Sequence, residues 1–117
     1  MRHLKKGKKF HRLSGQRRSF LRNLANDLVR TGGMETTEIR AKAIRPIVEK
    51  LVTMAKKQNL ASRRILLART QNSVVAEKLY GDLAKRYAER RGGYLRIIKL
   101  SKSKKRDGSR LAKIEFV

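Results

Sequence analysis

Acidic residues are scarce in this chain. Nine Asp or Glu stand against 32 Lys or Arg, which leaves a formal charge of +23 on 117 residues. Like charges at this density repel one another, so a self-sufficient, near-neutral monomer is excluded and a polyanionic partner is implied: RNA, DNA or an anionic membrane. Cysteine is absent, which removes disulfides and thiolate metal sites and fits a reducing interior. No apolar run approaches the ~20 residues that a spanning helix needs. No apolar segment follows the N-terminal charges, as a secretory signal would require. Converging catalytic groups are lacking too. The carboxylates are scattered singly, and the two histidines, His3 and His11, fall in a stretch with nothing to hold them in geometry. No GxGxxG, Walker-type, HExxH or CxxC pattern occurs. Neither an enzyme nor a cofactor, metal or small-molecule site is expected.

The charge that is present is unevenly placed. The first 18 residues hold eight Lys or Arg and no acid, and the first carboxylate is Asp27. Such a segment has little apolar surface to bury and repels itself, so it becomes ordered only against dense negative charge. Residues 1–13 are therefore expected to be an extended basic arm. Residues 14–117 are expected to form a single compact domain, with a basic hairpin tip over 101–110.

Periodicity supplies the elements. Ser14 is positioned to cap a helix over about 15–31, with Phe20, Leu21, Leu24, Leu28 and Val29 on one face, and Gly32-Gly33 stops it. Met34–Thr36 is short and extended. Thr37 caps a second helix, with Ile44, Ile47, Val48, Leu51, Val52 and Ala55 at helical spacing. Pro46 lies inside that pattern and either kinks the helix or begins a new segment. Asn59 caps a short third helix over about 60–69. Asn72 or Ser73 opens a fourth that runs to about Arg91, with Val75, Leu79, Leu83 and Tyr87 at strict i+4 spacing, ended by Gly92-Gly93. The period then changes. Tyr94–Leu100 is β-prone, and Leu111–Val117 alternates with Ala112, Ile114 and Phe116 on one face. The turn pair Asp107-Gly108 lies between them. That insert is too long for a two-residue hairpin, so the strands should extend into it or its tip should be mobile.

Three basic clusters stand out: the arm, the hairpin tip (Lys99, Lys102, Lys104, Lys105, Arg106 and Arg110 against Asp107), and the helical pairs Arg63-Arg64, Lys85-Arg86 and Arg90-Arg91. Neutralising phosphates releases counterions, and arginine adds forked donors that match phosphate oxygens. A helical pair such as Arg63-Arg64 serves equally well as part of a solvated face. Lys50 and Lys78 read as plain surface residues. Tyr80 and Tyr87 read as core. Tyr94, at a strand start after a glycine pair, fits either the core or a base-stacking role. The exposed aromatic pair of an RRM-type sheet is missing, which argues against sequence-specific reading of single strands.

Several segments, in order and at fitting spacings, carry a resemblance across the whole chain. They are Met1-Arg2-His3, Arg22-Asn23-Leu24-Ala25, Thr36-Thr37 followed by Arg40-Ala41-Lys42, Arg63-Arg64, Gly92-Gly93-Tyr94 with Arg96-Ile97, and Ile114-Glu115-Phe116-Val117. The sequence resembles the bacterial large-subunit ribosomal protein L17 family. It departs from the family's pattern at Ala43, where relatives often carry Glu, and at Pro46. The resemblance implies an α+β fold of about four helices packed on a small three-stranded mixed sheet, with Met34–Thr37 as the third strand. It implies a cytoplasmic structural protein of the large ribosomal subunit. Such a protein sits on 23S ribosomal RNA near the polypeptide exit region, beside other ribosomal proteins, with its arm threaded into RNA. The expected RNA-binding residues are Arg2, His3, Lys5, Lys6, Lys8, Lys9, Arg12, Arg17, Arg18, Arg22, Thr36, Thr37, Arg40, Lys42, Arg63, Arg64, Tyr94, Lys102, Lys104, Lys105 and Arg106. Charge alone leaves an architectural protein of double-stranded DNA as the alternative.

Overall fold

A computed structural model of the chain describes residues 13–103 and 108–117. The expected arm, apart from Leu13, and tip residues 104–107 lie outside the described residues.

Helix α1 spans Ser14–Thr31. Ser14 is its first helical residue, not its cap: Leu13 takes the cap position and makes no side-chain bond there. Leucine has no oxygen to offer, so the amides of the opening turn gain no side-chain acceptor from the cap. At the other end Gly32, at φ 84°, donates its N–H to the Leu28 carbonyl and closes the helix. Strand β1 (Gly33–Thr37) follows at once. A Cβ at Gly33 would lie 3.1 Å from that of Glu115, so a larger residue there would need its neighbour on β3 to give by a few tenths of an ångström.

Helix α2 (Glu38–Ala55) begins where the Thr37 hydroxyl accepts the Arg40 N–H at 3.3 Å. It runs unbroken through Pro46, so no new segment starts there. Ala41, Ile44, Val48, Leu51, Val52 and Ala55 are buried on both sides of the proline and pin the rod to the core. Pro46 itself is exposed, where the carbonyl that loses its donor can reach water. Helix α3 (Leu60–Thr70) opens with a reciprocal cap: Asn59 Oδ1 accepts the Ser62 N–H, and Ser62 Oγ accepts the Asn59 N–H.

Asn72 caps the fourth helix by accepting from the Val74 and Val75 amides. This helix, α4, starts as Ser73–Lys78, widens into a π-helical turn over Leu79–Leu83 and finishes as Ala84–Arg86, a rod over 73–86. Its sequence explains the widening. Val75, Leu79, Leu83 and Tyr87 are all buried, at 1, 0, 3 and 3 % exposure. At 3.6 residues per turn each i+4 step drifts by about 40°, so a pure α-helix would carry the last of them well off the core face. A turn with i→i+5 bonding absorbs that drift. The rod ends at Arg86, short of the expected Arg91, and Gly92-Gly93 belongs to the connection that follows. Tyr87 draws the chain out of the helix. Its hydroxyl donates to the Val117 carbonyl at 2.7 Å, and its ring lies 5.2 Å from Tyr94 and 6.2 Å from Phe116.

Strands β2 (Leu95–Ser103) and β3 (Arg110–Phe116) complete a three-stranded sheet in the order β1-β3-β2. Both pairings are antiparallel, so the sheet is antiparallel throughout and not mixed. The reason is the central place of β3: β1 and β2 run in the same direction but never meet. Alternation along β3 turns Ala112, Ile114 and Phe116 to the core and Lys113 outward. Beyond Lys99 the register with β3 shifts before Ser103 meets Arg110, so the strands do extend into the long insert. The inner face of the sheet and the buried sides of α1 and α4 enclose α2, whose Ile44, Val48 and Val52 are wholly inaccessible.

Candidate nucleic-acid interface

The carboxylates of the folded chain are largely consumed within it. Glu38 takes Lys42 at 2.9 Å and Lys99 at 3.6 Å, Glu35 takes Lys102 at 3.1 Å, and Glu49 takes Arg45 at 3.4 Å. Glu115 takes Arg96 at 3.0 Å and Lys113 at 3.5 Å. Asp27 pairs with Arg30, and Glu77 pairs with Arg63. The Lys42 hydrogen bond, then the charges of Lys42 and Lys99, hold the Glu38 carboxyl below its ordinary 4.5. Arg96 first, then Lys113, does the same for Glu115.

These pairs sort the expected RNA-binding residues. Arg2, His3, Lys5, Lys6, Lys8, Lys9 and Arg12 lie outside the described residues, as do Lys104, Lys105 and Arg106. Lys42, Arg63 and Lys102 are exposed but each already faces an acid. Arg40 lies over the Phe20 ring at 5.1 Å, which ties the start of α2 to α1. The Thr37 hydroxyl oxygen serves as the α2 cap, and Thr36, beside it, pairs across the sheet with Ala112 on the inward side. Arg17, Arg18, Arg22 and Arg64 have neither an acid nor a hydrogen-bonding side-chain partner among the described residues.

Tyr94 is a core residue. It is 1 % exposed, and its phenol oxygen accepts from Thr53 and from Lys56 at 3.1 Å while donating to the Arg91 carbonyl. Burial alone would raise its pKa, but the Thr53 and Lys56 hydrogen bonds and the Lys56 charge outweigh it and bring it below 10.0. Burial holds Tyr87 above that value. Neither ring offers a face for base stacking.

Two cations gain a role that sequence reasoning missed. Lys50 on α2 and Arg69 on α3 line one groove together with Arg18 and Arg22 of α1. The i,i+4 spacing of Arg18 and Arg22 is visible in the sequence. Their convergence with Lys50 and Arg69 depends on how three helices cross, and no local signal encodes it. Lys78, read as a plain surface residue, donates to the Arg30 carbonyl at 2.9 Å near the end of α1.

Among the described residues no cluster of His, Cys, Asp or Glu could hold a metal, and no helix is long and apolar enough to cross a membrane. What remains is a small, strongly basic α+β protein, with most acids of the described residues paired internally and with unpaired cations on its described helices. Residues 20–117 match the sequence model of the family described as ribosomal protein L17. A large ribosomal subunit protein bL17 of Persephonella marina is 50 % identical, covering 100 % of this chain and 95 % of the relative. Proteins of the same name from a Sulfurihydrogenibium species and from Thermus thermophilus are 47 % and 40 % identical, each covering 100 % of this chain and 97 % or 99 % of their own length. The chain belongs to the ribosomal protein L17 family.

Proposed function

We propose that this protein is a structural constituent of the large ribosomal subunit that binds 23S ribosomal RNA near the polypeptide exit region. Neighbouring ribosomal proteins are its further partners, and the bacterial cytoplasm is its place of work. The observation that carries the proposal is the disposal of charge. Six of the nine carboxylates are ion-paired inside the described fold, so internal pairing has used most of its capacity and a large cationic surplus still needs an external anion. Family membership and the names of the relatives support RNA of the large subunit as that anion. The arm bridges phosphates that would otherwise repel, the hairpin tip reaches a second RNA segment, and the helical cations lie between. Affinity is mostly electrostatic, and specificity comes from fit to a folded RNA surface.

An architectural DNA-binding protein would share the charge. It would need an apolar wedge on its reaching element, and the sequence over 101–110 contains none. Competition at fixed salt decides between them. The protein should retain 23S RNA against excess duplex DNA, and log affinity should fall steeply with log salt, by about four or more for six or so phosphate contacts. Equal affinity for duplex DNA would overturn the proposal.

A further inference from the structure

The groove between α1, α2 and α3 has a composition that bulk charge does not explain. Its volume is about 400 Å³, within the range of small-ligand pockets. Leu21, Ile47 and Leu51 give it an apolar lining, and Arg18, Arg22, Lys50 and Arg69 also line it. None of those four cations has an acid or a hydrogen-bonding side-chain partner among the described residues, and no carboxylate lines the groove. Elsewhere most exposed cations of the sheet and of the α2 start face a Glu, so the exclusion of acids here is local.

Asn26 supplies a second, independent observation. It also lines the groove. Its Nδ2 donates to the Thr70 carbonyl at 2.9 Å, which fixes the amide's orientation because a carbonyl only accepts. Its Oδ1 is buried and has no hydrogen-bond partner. A buried acceptor left unpaired is costly and calls for a donor. No side chain among the described residues supplies it, so an N–H group brought to the groove wall is the natural partner.

We infer that this groove seats one extruded nucleotide of the bound RNA, with its base on the apolar lining and its flanking phosphates held by Arg18, Arg22, Lys50 and Arg69. Seating the base opens the covered Asn26 Oδ1 to an N–H on the base edge. The inference rests on the RNA-binding reading and adds a defined subsite to it. An unstacked nucleotide is the one common ligand that joins a flat ring carrying N–H donors to anions on both sides. A partner helix would instead need a row of anchor pockets at i, i+3, i+4 and i+7. Lys50 and Arg69 also line the adjoining groove, beside Lys57, Pro46 and the carboxylate Glu49.

The test uses the intact chain, labelled for NMR at its methyl groups and side-chain amides. Adenosine 5′-monophosphate should shift the Asn26 amide and the Leu21 and Ile47 methyls. Ribose 5-phosphate should leave those signals in place. Ala68, exposed on α3, lines the groove, so Ala68→Leu narrows it from outside the core. That variant should melt like the wild type, lose the nucleotide shifts, and bind 23S RNA about tenfold more weakly at an unchanged salt slope, because a seated base and not a phosphate has been lost. Identical shifts with ribose 5-phosphate would overturn the seat, and so would shifts produced only by a glutamate-rich peptide, which would mark a protein partner. If wild type and Ala68→Leu bind 23S RNA equally well, the seat alone falls. If the wild type itself ignores 23S RNA, the proposed function falls with it.

Discussion

The Lys56 ammonium donates to the Tyr94 phenol oxygen at 3.1 Å and lies 5.2 Å from the centre of the same ring. One cation at the end of α2 thus meets both the polar tip and the π-face of an aromatic at the start of β2. That contact, with the Thr53 hydroxyl and the Arg91 carbonyl, satisfies the phenol inside the protein. Tyr94→Phe should therefore lower stability by about 1 kcal/mol and leave affinity for 23S RNA unchanged. Denaturant unfolding and RNA titration check the two halves. A loss of affinity in a normally folded Phe variant would put the ring back at the RNA surface.

The acid limb of stability should report Glu38 and Glu115. Both carboxyls titrate below 4.5 in the folded chain, held down by Lys42 and Arg96 first. A depressed folded pKa contributes stability that is fully present above the unfolded value and is lost as pH falls through the folded one. Melting temperature should drop as pH falls below about 5, and more gently in a Glu38→Gln, Glu115→Gln variant. Parallel acid limbs in the two proteins would remove these residues from the explanation.

Glu77 competes for Arg63. The pair links α3 to α4 with its side chains 47 and 54 % exposed, so it contributes less than about 1 kcal/mol to the fold. Glu77→Gln should melt almost normally yet bind 23S RNA more tightly, by roughly threefold at low salt, because it frees a guanidinium and removes a repelling charge. Unchanged binding would show that Arg63 faces away from the RNA.

Removing residues 1–13 should spare the fold, since the buried core of the described residues is built from Ala25 onward. Six Lys or Arg leave with the segment. The slope of log affinity against log salt should flatten by up to about five, and incorporation into the large subunit should fall sharply. A shortened chain that assembles as well as the full one would contradict a binding role for the arm.

Much of the fold was legible because side-chain oxygens sit where helix amides need them. Thr37, Asn59 and Asn72 cap as their chemistry suggests, and Gly32 closes α1. Ser14 misled because a capping residue in the sequence does not fix which peptide turns first. The end of α4 misled because Gly92-Gly93 looked like a stop, whereas aromatic contacts at Tyr87 had already drawn the chain away. Strand direction was beyond local pattern, since alternation gives faces and not partners. The groove lay furthest out of reach. Lys50 and Arg69 are ordinary surface cations until three helices bring them beside Arg18 and Arg22.

The strand order has a consequence for how this protein comes into being. β3 leaves the translating ribosome after both of the strands it must join. Until then the nascent chain has a sheet with its middle missing, and two open edges wait for the same late arrival. The helices, which need no such long-range closure, can condense first. RNA that gripped the α1 cations early would therefore hold a half-built protein, so the timing of capture, and not only its strength, bears on productive assembly.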